Sequence, residues 1–144
     1  MNAMDGDPPS VRNKANYIAA KVAYNARGLD RCLTFYSPEH QIMSRPSPPG
    51  REHIRLFLEG AVSVWPDLRL EVAHVVAEDD WVMGRCIATA THTTPIMGVA
   101  PTGKQVVTEF WDLHRFDGGG LIVQTWNLVD NIAFMHQLGL LPSP

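Results

Sequence analysis

The chain has 144 residues, of which 45% are hydrophobic and 19% are charged, and its formal net charge is −3 at pH 7. This length suits one domain that buries roughly two-thirds of its unfolded surface on folding. Because Lys and Arg do not form blocks, the charge pattern argues against nucleic acid as a partner. No apolar run approaches the roughly 20 residues that cross a bilayer, so we expect no membrane contact.

The amino terminus and the two cysteines indicate the setting of the protein. MNAMDGDPPS is acidic and lacks the basic patch and apolar segment of a signal peptide. We therefore expect a flexible tail over residues 1–9, a single domain over residues 10–144, and a cytoplasmic location. Cys32 and Cys86 show no C-x-x-C spacing, so we expect no zinc site and no disulfide, but two reduced, buried packing residues.

Three helices are predicted in the first half of the chain. Small and apolar residues recur at helical spacing over residues 11–26, with Ser10 as a candidate cap and Gly28 as a stop. Asp30 is a candidate cap for a short second helix, RCLTFY. A short strand, HQIMS, and a proline-rich loop, RPSPPG, follow. An apolar stripe over residues 54–65 then predicts a third helix.

From residue 68 onward the hydrophobic period changes to two, which is typical of strands. LRLEVAHVVA and WVMGRCIATATHT, separated by the acidic turn EDD, predict a hairpin. The loop PIMGVAPTGK leads to a third strand, VVTEFWDLHRF, and the turn DGGG leads to a fourth, LIVQTWNLV. Helices followed by strands predict an α+β domain, in which the early helices cover one face of a mostly antiparallel sheet.

Several motifs occur in the order and spacing of one family: YNARGLD, GREHIRLFLEG, WPDLRLEV, VVAEDDWVMGR, THTTPIMGVAPTGK, HRFDGGGLIVQTWNLVD and QLG. Through them the chain resembles the SnoaL-like polyketide cyclases from about Asn13 to Gly139. The resemblance implies the nuclear transport factor 2-like (cystatin-like) fold, a cone of curved antiparallel sheet with the N-terminal helices packed on its concave face. It also implies a homodimer or homotetramer, no cofactor, no metal, and a small apolar or polyketide-like substrate. Two departures are HTT in place of the usual H-T-G, and DGGGL in place of the commoner DGK.

The functional prediction depends on Asp130. It directly precedes NIAFMHQL, which Gly139 can end, so Asp130 is a candidate N-cap of a terminal helix. A cap has a lowered pKa and is a poor base, whereas an apolar pocket would raise the pKa toward the working pH. The resemblance implies that an aspartate at this place is the acid/base of an aldol ring closure. We favour this catalytic interpretation of Asp130 and keep the cap as the alternative.

The register of the last two strands supports that choice. If Gly118–Gly120 form a three-residue turn, positions that sum to 238 face each other, so Thr108 faces Asp130 and Asp112 faces Trp126. A slip of one residue would instead bring Thr125, Asn127 and Val129 to this face. On the first register, one face combines aromatic walls with convergent polar groups, as a small-molecule pocket does: Thr108, Phe110, Asp112, His114, Gln124, Trp126, Leu128 and Asp130.

Two histidines and a tyrosine are further candidates. If residues near 92 lie opposite residues near 108, His92 is two strand spacings, roughly 10 Å, from Asp130. We predict that His92 acts as a donor beside Asp130, with a substrate bridging the two. His114 is roughly 20 Å along the strand from Asp130 and is predicted to line the far end of the pocket. Tyr17 either projects its hydroxyl into the cone or packs half-buried.

Three functions stay open. In a cyclase or isomerase, Asp130 removes a proton flanked by carbonyls, and His92 or water stabilises the enolate. In a hydrolase similar to limonene epoxide hydrolase, an Asp-Arg-Asp set activates water, but Phe110 stands where an Arg-x-Asp pair would need arginine. In a binding module, the pocket holds a ligand without turnover.

Overall fold

The computed structural model describes residues 6–142. Of the tail predicted over residues 1–9, residues 1–5 lie outside this part of the chain. Within residues 6–142, no helix is long and apolar enough to span a bilayer. The elements in this range confirm the predicted α+β order: α1 Pro9–Asn25, α2 Leu29–Leu33, β1 Tyr36–Ile42, α3 Arg51–Val64, β2 Arg69–Glu78, β3 Trp81–Thr91, β4 Gln105–Phe116, β5 Ile122–Val129 and α4 Asn131–Gln137.

The five strands form one sheet in the order β1-β5-β4-β3-β2. The pairs from β2 to β5 are antiparallel, whereas β1 runs parallel to β5 at the edge. The sheet is therefore mixed. β1 comes before the meander of β2 to β5 in the chain and pairs with the last strand of that meander, β5. This arrangement matches the nuclear transport factor 2-like fold.

Helix α1 packs closely on the inner face of the sheet. Tyr17 is only 1% exposed, and a Cβ on Gly84 of β3 would overlap its hydroxyl, so the glycine allows the close approach. At the carboxyl end of α1, the Asn25 carboxamide donates to the Leu70 carbonyl at 2.7 Å and accepts the Leu70 N–H at 2.8 Å. The Asn25 side chain therefore satisfies both the N–H and the carbonyl of Leu70 in the edge strand β2, and it holds α1 against that strand.

Helix α3 faces α1 across a space in front of the sheet. Ile54 is buried, Leu58 packs against the core, and Leu56 on the opposite face is exposed. Tyr24 of α1 donates its hydroxyl to the Leu58 carbonyl at 2.8 Å, which links the two helices. The amphipathic pattern of α3 therefore forms one wall of the interior, as its apolar stripe predicted.

Two predicted helix caps were wrong. Ser10 lies inside the first turn of α1, which begins at Pro9 and has no side-chain cap. A proline at this position loses no intrahelical hydrogen bond, so it starts the helix without one. Asp30 likewise lies inside α2, which begins at Leu29.

A β-bulge shifts the register of β4 against β5. Phe116 faces Ile122, which agrees with the predicted sum of 238, but Arg115 already faces Gln124. Val123 is therefore an extra residue in β5, and every later pair is displaced by one. The predicted pairs Thr108–Asp130 and Asp112–Trp126 were wrong for this reason: Asp112 faces Asn127, and Phe110 faces Val129.

Both cysteines belong to the core. Cys32 is 2% exposed and Cys86 is fully buried, and both thiols are free. Burial raises the pKa of the Cys32 thiol to about 11, which keeps it protonated and unreactive. The prediction that both are buried packing residues is confirmed.

Gly84→Ala tests the close approach of α1. The added methyl group overlaps the Tyr17 hydroxyl, so we expect the free energy of unfolding to fall by about 1–3 kcal/mol or more in urea titrations. Gly60→Ala is the matched control, because a Cβ at this exposed position of α3 meets nothing within 4 Å. We expect it to stabilise the protein by about 0.5–1 kcal/mol. Equal effects of the two substitutions would contradict the packing argument.

Candidate active site

A cavity of about 450 Å³ lies between the inner face of the sheet and helices α1 and α3. Its walls are mostly apolar and aromatic, with contributions from Tyr24, Phe57 and Phe110. Polar side chains meet at the sheet side of the cavity: Lys21, Thr108, Asp112, His114, Thr125 and Asn127. A concave, mostly apolar space with a few convergent polar groups is typical of a small-molecule site.

Asp112 is the buried carboxylate of this cavity, with an exposure of 4%. Tyr17 donates its hydroxyl to Oδ1, and Lys21 donates its ammonium to Oδ2 at 2.6 Å. Burial alone would raise the pKa of Asp112, but the charge of Lys21, the contact with His114 and these hydrogen bonds hold it below its usual value. Asp112 is therefore ionised at neutral pH.

Lys21 is the cationic partner of Asp112. Burial opposes its charge, but the neighbouring carboxylate outweighs that effect and raises the pKa of Lys21 above its usual value. The ammonium also lies 4.6 Å from the ring centre of Tyr17 and 5.8 Å from that of Phe110. The cavity wall thus carries an ionised, oppositely charged pair.

His114 and His40 continue the polar cluster through Thr125. Nε2 of His114 lies 3.6 Å from Oδ2 of Asp112, and Nδ1 lies 2.8 Å from Oγ1 of Thr125. The same Oγ1 lies 2.7 Å from Nε2 of His40. Burial lowers the pKa of His114 to about 3 and that of His40 to about 4, so both imidazoles are neutral at pH 7.

The contacts indicate which nitrogen of each imidazole carries the proton. Nε2 of His114 faces the ionised Asp112 and therefore carries it, which leaves Nδ1 to accept from the Thr125 hydroxyl. Thr125 then accepts from Nε2–H of His40. Nδ1 of His40 is left as a bare acceptor, which agrees with its lack of a partner, since a buried lone pair is tolerated better than a buried N–H.

Four of the predicted pocket residues do line the cavity: Thr108, Phe110, Asp112 and His114. Tyr17 is fully buried, and its hydroxyl contacts Asp112 and the Cys86 sulfur, so it supports the carboxylate without forming part of the wall. Burial and the nearby Asp112 raise its pKa, so the hydroxyl stays a donor. His114 lies beside Asp112 rather than at a remote end of the pocket.

The predicted inward position of Asp130 was wrong. Its side chain is exposed, and Oδ1 accepts the N–H of Ala133 at 3.0 Å at the start of α4. Gly139, with φ of 75°, follows the end of the same helix. Asp130 is therefore the N-cap that the alternative interpretation described, because the bulge at Val123 brings Val129, and not Asp130, to the inner face.

Trp126 also lies on the other side of the sheet from its predicted place. It faces Leu113 on the outer face, and its ring centre lies 5.7 Å from that of Trp81. Trp126 therefore does not line the cavity. The cause is again the single extra residue in β5.

The prediction that His92 lies level with Thr108 was wrong. Thr91 faces Gln105, and backbone pairing continues to His92, whose N–H donates to the Lys104 carbonyl at 2.8 Å. Thr108 consequently faces Ala88, four residues earlier. The His92 ring is buried 5.8 Å from Trp65, a lining residue, but His92 is not itself part of the cavity wall.

Sequence reasoning missed three polar residues of the cluster, each for a separate reason. Lys21 lies one helical turn after Tyr17 on the same face of α1, a spacing that could have indicated it. Thr125 was placed on the inner face only in the alternative register, which is shifted by one residue. His40 was predicted only as the first residue of the short strand HQIMS, without a site role, whereas it is fully buried in β1 and belongs to the cluster.

The charged groups of the cavity limit its chemistry. Among residues 6–142, no group of three or more His, Cys, Asp or Glu side chains is placed to hold a metal ion. Among the described residues that line the cavity, Asp112 is the single carboxylate, so the Asp-Arg-Asp set of the epoxide hydrolase alternative is not assembled there. The carboxylate of Asp112 is in contact with the ammonium of Lys21.

The two neutral histidines predict a pH-dependent stability. In the unfolded chain each binds a proton below its ordinary pKa of about 6.5, whereas in the folded protein each does so only near pH 3 to 4. Unfolding therefore takes up protons, and the free energy of unfolding should fall as the pH drops from 6.5 to 5, approaching about 1.4 kcal/mol per pH unit for each histidine. Urea titrations measure this slope, and His40→Gln should roughly halve it. An unchanged slope would contradict the assignment.

The comparisons with known proteins agree with this geometry. The family model for SnoaL-like polyketide cyclases matches residues 16–138. No curated protein matches the chain. Among solved structures, AclR of Streptomyces galilaeus, a candidate hydroxylase, is 30% identical, with 93% of this chain and 89% of that chain covered and a TM-score of 0.83. IdmH of Streptomyces antibioticus, a candidate polyketide cyclase, is 27% identical, with coverages of 88% and 98% and a TM-score of 0.78.

A SnoaL-like polyketide cyclase of Agrobacterium tumefaciens is 24% identical, with coverages of 88% and 98% and a TM-score of 0.77, and so shares the fold. The family model carries more weight, because it runs from within α1 to the end of α4 and its range includes both residues of the buried ion pair. The chain belongs to the SnoaL-like polyketide cyclase family.

Proposed function

We propose that the chain catalyses proton removal next to a carbonyl group of a small, largely apolar substrate, with Asp112 as the base and Lys21 as the stabiliser of the enolate. The observation that carries the proposal is the ionised Asp112–Lys21 pair at the wall of an apolar cavity. This is the acid/base chemistry implied by the family, with Asp112 of β4 as the base in place of Asp130.

During the proton transfer, the Lys21 ammonium changes its hydrogen-bond acceptor from the Asp112 carboxylate to the substrate oxygen. A carboxylate oxygen of Asp112 takes the C–H proton, and the electron pair of that bond moves onto the substrate carbonyl oxygen. The ammonium of Lys21 then donates to the new oxyanion in place of the carboxylate. The net charge of the site stays constant, so no unpaired charge is created in the low-dielectric interior.

This exchange also answers an objection to Asp112 as a base. In the resting protein the charge of Lys21, the nearby His114 and the hydrogen bonds from Lys21 and Tyr17 lower the pKa of the carboxylate, which weakens it as a base. When Lys21 turns toward the substrate oxygen, the carboxylate loses its largest stabilising charge, and its pKa rises. Tyr17 and His114 keep the carboxylate oriented while this happens.

Ring closure requires a second carbonyl within the same substrate. The enolate carbon attacks that carbonyl, and the carboxyl group of Asp112 returns its proton to the alkoxide that forms. Asn127 faces Asp112 across β4 and β5 and lines the cavity, so its carboxamide is suited to hold the second carbonyl oxygen. Without a second carbonyl, the same proton transfer amounts to an isomerisation.

Hydroxylation is a second candidate, because AclR, at 30% identity, is a candidate hydroxylase. An enolate carbon can attack molecular oxygen to form a hydroperoxide, and a two-electron reductant from outside the chain must then cleave the O–O bond to leave the hydroxyl group and water. Both functions therefore begin with the same proton removal. A product that gains one oxygen atom from oxygen-18 gas would favour hydroxylation over ring closure.

Deuterium exchange tests the base directly. We expect the wild-type protein to speed the loss of the methyl proton signal of 2-acetylnaphthalene in D2O, followed by NMR. Asp112→Asn should reduce the catalysed rate by at least about 100-fold, since general base catalysis contributes about 10²- to 10⁴-fold. Asp130→Asn is the matched control and should leave the rate unchanged, because Asp130 is exposed at the start of α4.

The folded state of the variants needs its own control. Asp112→Asn leaves the Lys21 ammonium buried without its anion, which costs about 3–5 kcal/mol. The double variant Asp112→Asn/Lys21→Met removes both charges and should recover much of that stability while remaining inactive. Exchange that survives in the folded double variant would contradict the proposal, and binding of the ketone without exchange in the wild type would favour a binding module.

We also propose that the chain forms a homodimer, or a homotetramer built from it, through the outer face of the sheet. Trp111 is 45% exposed there and faces Leu128, which is 73% exposed. Trp126, two residues before Leu128, lies on the same face, with its ring centre 5.7 Å from that of Trp81. Large apolar side chains in adjoining positions of one face are typical of a protein–protein interface. The inner face is already covered by α1 and α3.

Trp111→Lys should therefore reduce the molar mass in solution, as measured by light scattering after size-exclusion chromatography, from a multiple of 16.0 kDa to 16.0 kDa. A charge placed in an apolar interface is desolvated without a partner and destabilises the dimer. Leu56→Lys, at an exposed position of α3, is the control and should leave the mass unchanged. A monomeric wild-type protein would contradict the proposal.

A further inference from the structure

Arg45 lies at the edge of the cavity on the segment that follows β1. It lines the cavity together with Ser44 and Phe57, and its guanidinium carbon lies 4.6 Å from the Phe57 ring centre. Within residues 6–142, no carboxylate forms an ion pair or hydrogen bond with this guanidinium. Its N–H donors are therefore free to bind a ligand.

The segment that carries Arg45 is held in one conformation. The Gln41 carboxamide donates to the Ser47 carbonyl at 2.9 Å, and the Ser47 hydroxyl donates to the Ile42 carbonyl at 3.1 Å. The Gly50 N–H closes the segment onto the His40 carbonyl at 2.8 Å. Three prolines, Pro46, Pro48 and Pro49, restrict the backbone further. Such a segment presents a side chain at little entropic cost on binding.

The charges around the cavity leave Arg45 uncompensated. The charged side chains in the cavity wall are Lys21, Asp112 and Arg45, and the first two neutralise each other. The whole chain has a net charge of −3, so a positive cavity edge is not part of a generally basic surface. An anionic group on a ligand would find its favourable position at Arg45 and not at the ion pair.

The strands show where Arg45 lies relative to the proposed reacting end. Ile42 pairs with Thr125, and β1 runs parallel to β5. Beyond Ile42, the Met43 N–H still donates to the Thr125 carbonyl at 2.7 Å, and the chain then bends at Ser44 and Arg45. Arg45 therefore enters the cavity wall from a segment outside the sheet, whereas Asp112, His114 and Thr125 enter it from β4 and β5.

We propose that Arg45 binds a carboxylate at the end of the substrate that is remote from the reacting carbonyl. The planar guanidinium has one face on Phe57 and keeps its N–H edge for the two oxygens of a planar carboxylate. A single cation matches a monoanion better than a doubly charged phosphate. The assignment rests on the proposed function for the reacting end, and it narrows the substrate to an apolar keto acid.

The test compares 6-acetyl-2-naphthoate with its methyl ester, which has the same rings and ketone but no charge. We expect the wild-type protein to bind the acid at least 10-fold more tightly by isothermal titration calorimetry. Arg45→Gln should abolish this acid-to-ester preference, Arg45→Lys should keep part of it, and raising the salt concentration should weaken it. Arg69→Gln is the matched control, because Arg69 is an exposed arginine outside the cavity wall.

Equal affinities for the acid and the ester in the wild type, or a preference that survives Arg45→Gln, would overturn the assignment. So would a failure of both compounds to bind. The ratio of affinities does not depend on the base, so the double variant Asp112→Asn/Lys21→Met, which leaves no unpaired charge at the ion pair, should keep the preference while it loses deuterium exchange at the acetyl group. Exchange that survives Asp112→Asn would instead contradict the proposed function and leave the role of Arg45 intact.

Discussion

The buried ion pair between Asp112 and Lys21 is the interaction on which the interior depends. Removing one partner of such a pair costs about 3–5 kcal/mol, because the other charge is left without compensation in a low-dielectric region. The fold provides the additional contacts that make the pair tolerable: the Tyr17 hydroxyl on one carboxylate oxygen and His114 near the other. The same contacts hold the proposed base in place, so stability and chemistry share one set of atoms.

The pair also connects the two layers of the fold. Lys21 and Tyr17 are on α1, whereas Asp112 is on β4, so the helix must lie close to the sheet for the contacts to form. Gly84 permits this approach because its missing side chain leaves room for the Tyr17 ring. A residue with no functional group therefore determines the geometry of the site.

The sequence predicted the architecture well and the site only in part. Alternation identified β2 to β5, and helical spacing identified α1 and α3, because one buried face leaves a clear hydrophobic period. The inner positions of β4 were also correct, since Phe110, Asp112 and His114 keep one parity. The partner strand was not, because the bulge at Val123 adds a residue that no hydrophobic pattern distinguishes from regular strand.

That one residue decides which aspartate is buried. Without the bulge, Asp130 would lie on the inner face and Asn127 on the outer face; with it, Asn127 faces Asp112 and Asp130 caps α4. Local chemistry already favoured the cap, because an aspartate before NIAFMHQL, followed by Gly139, satisfies both ends of a short helix. Asp112, by contrast, has no distinctive sequence neighbours, and its partners lie about 90 residues away in α1. A buried acid that depends on a distant cation can be recognised only after the fold has brought the two together.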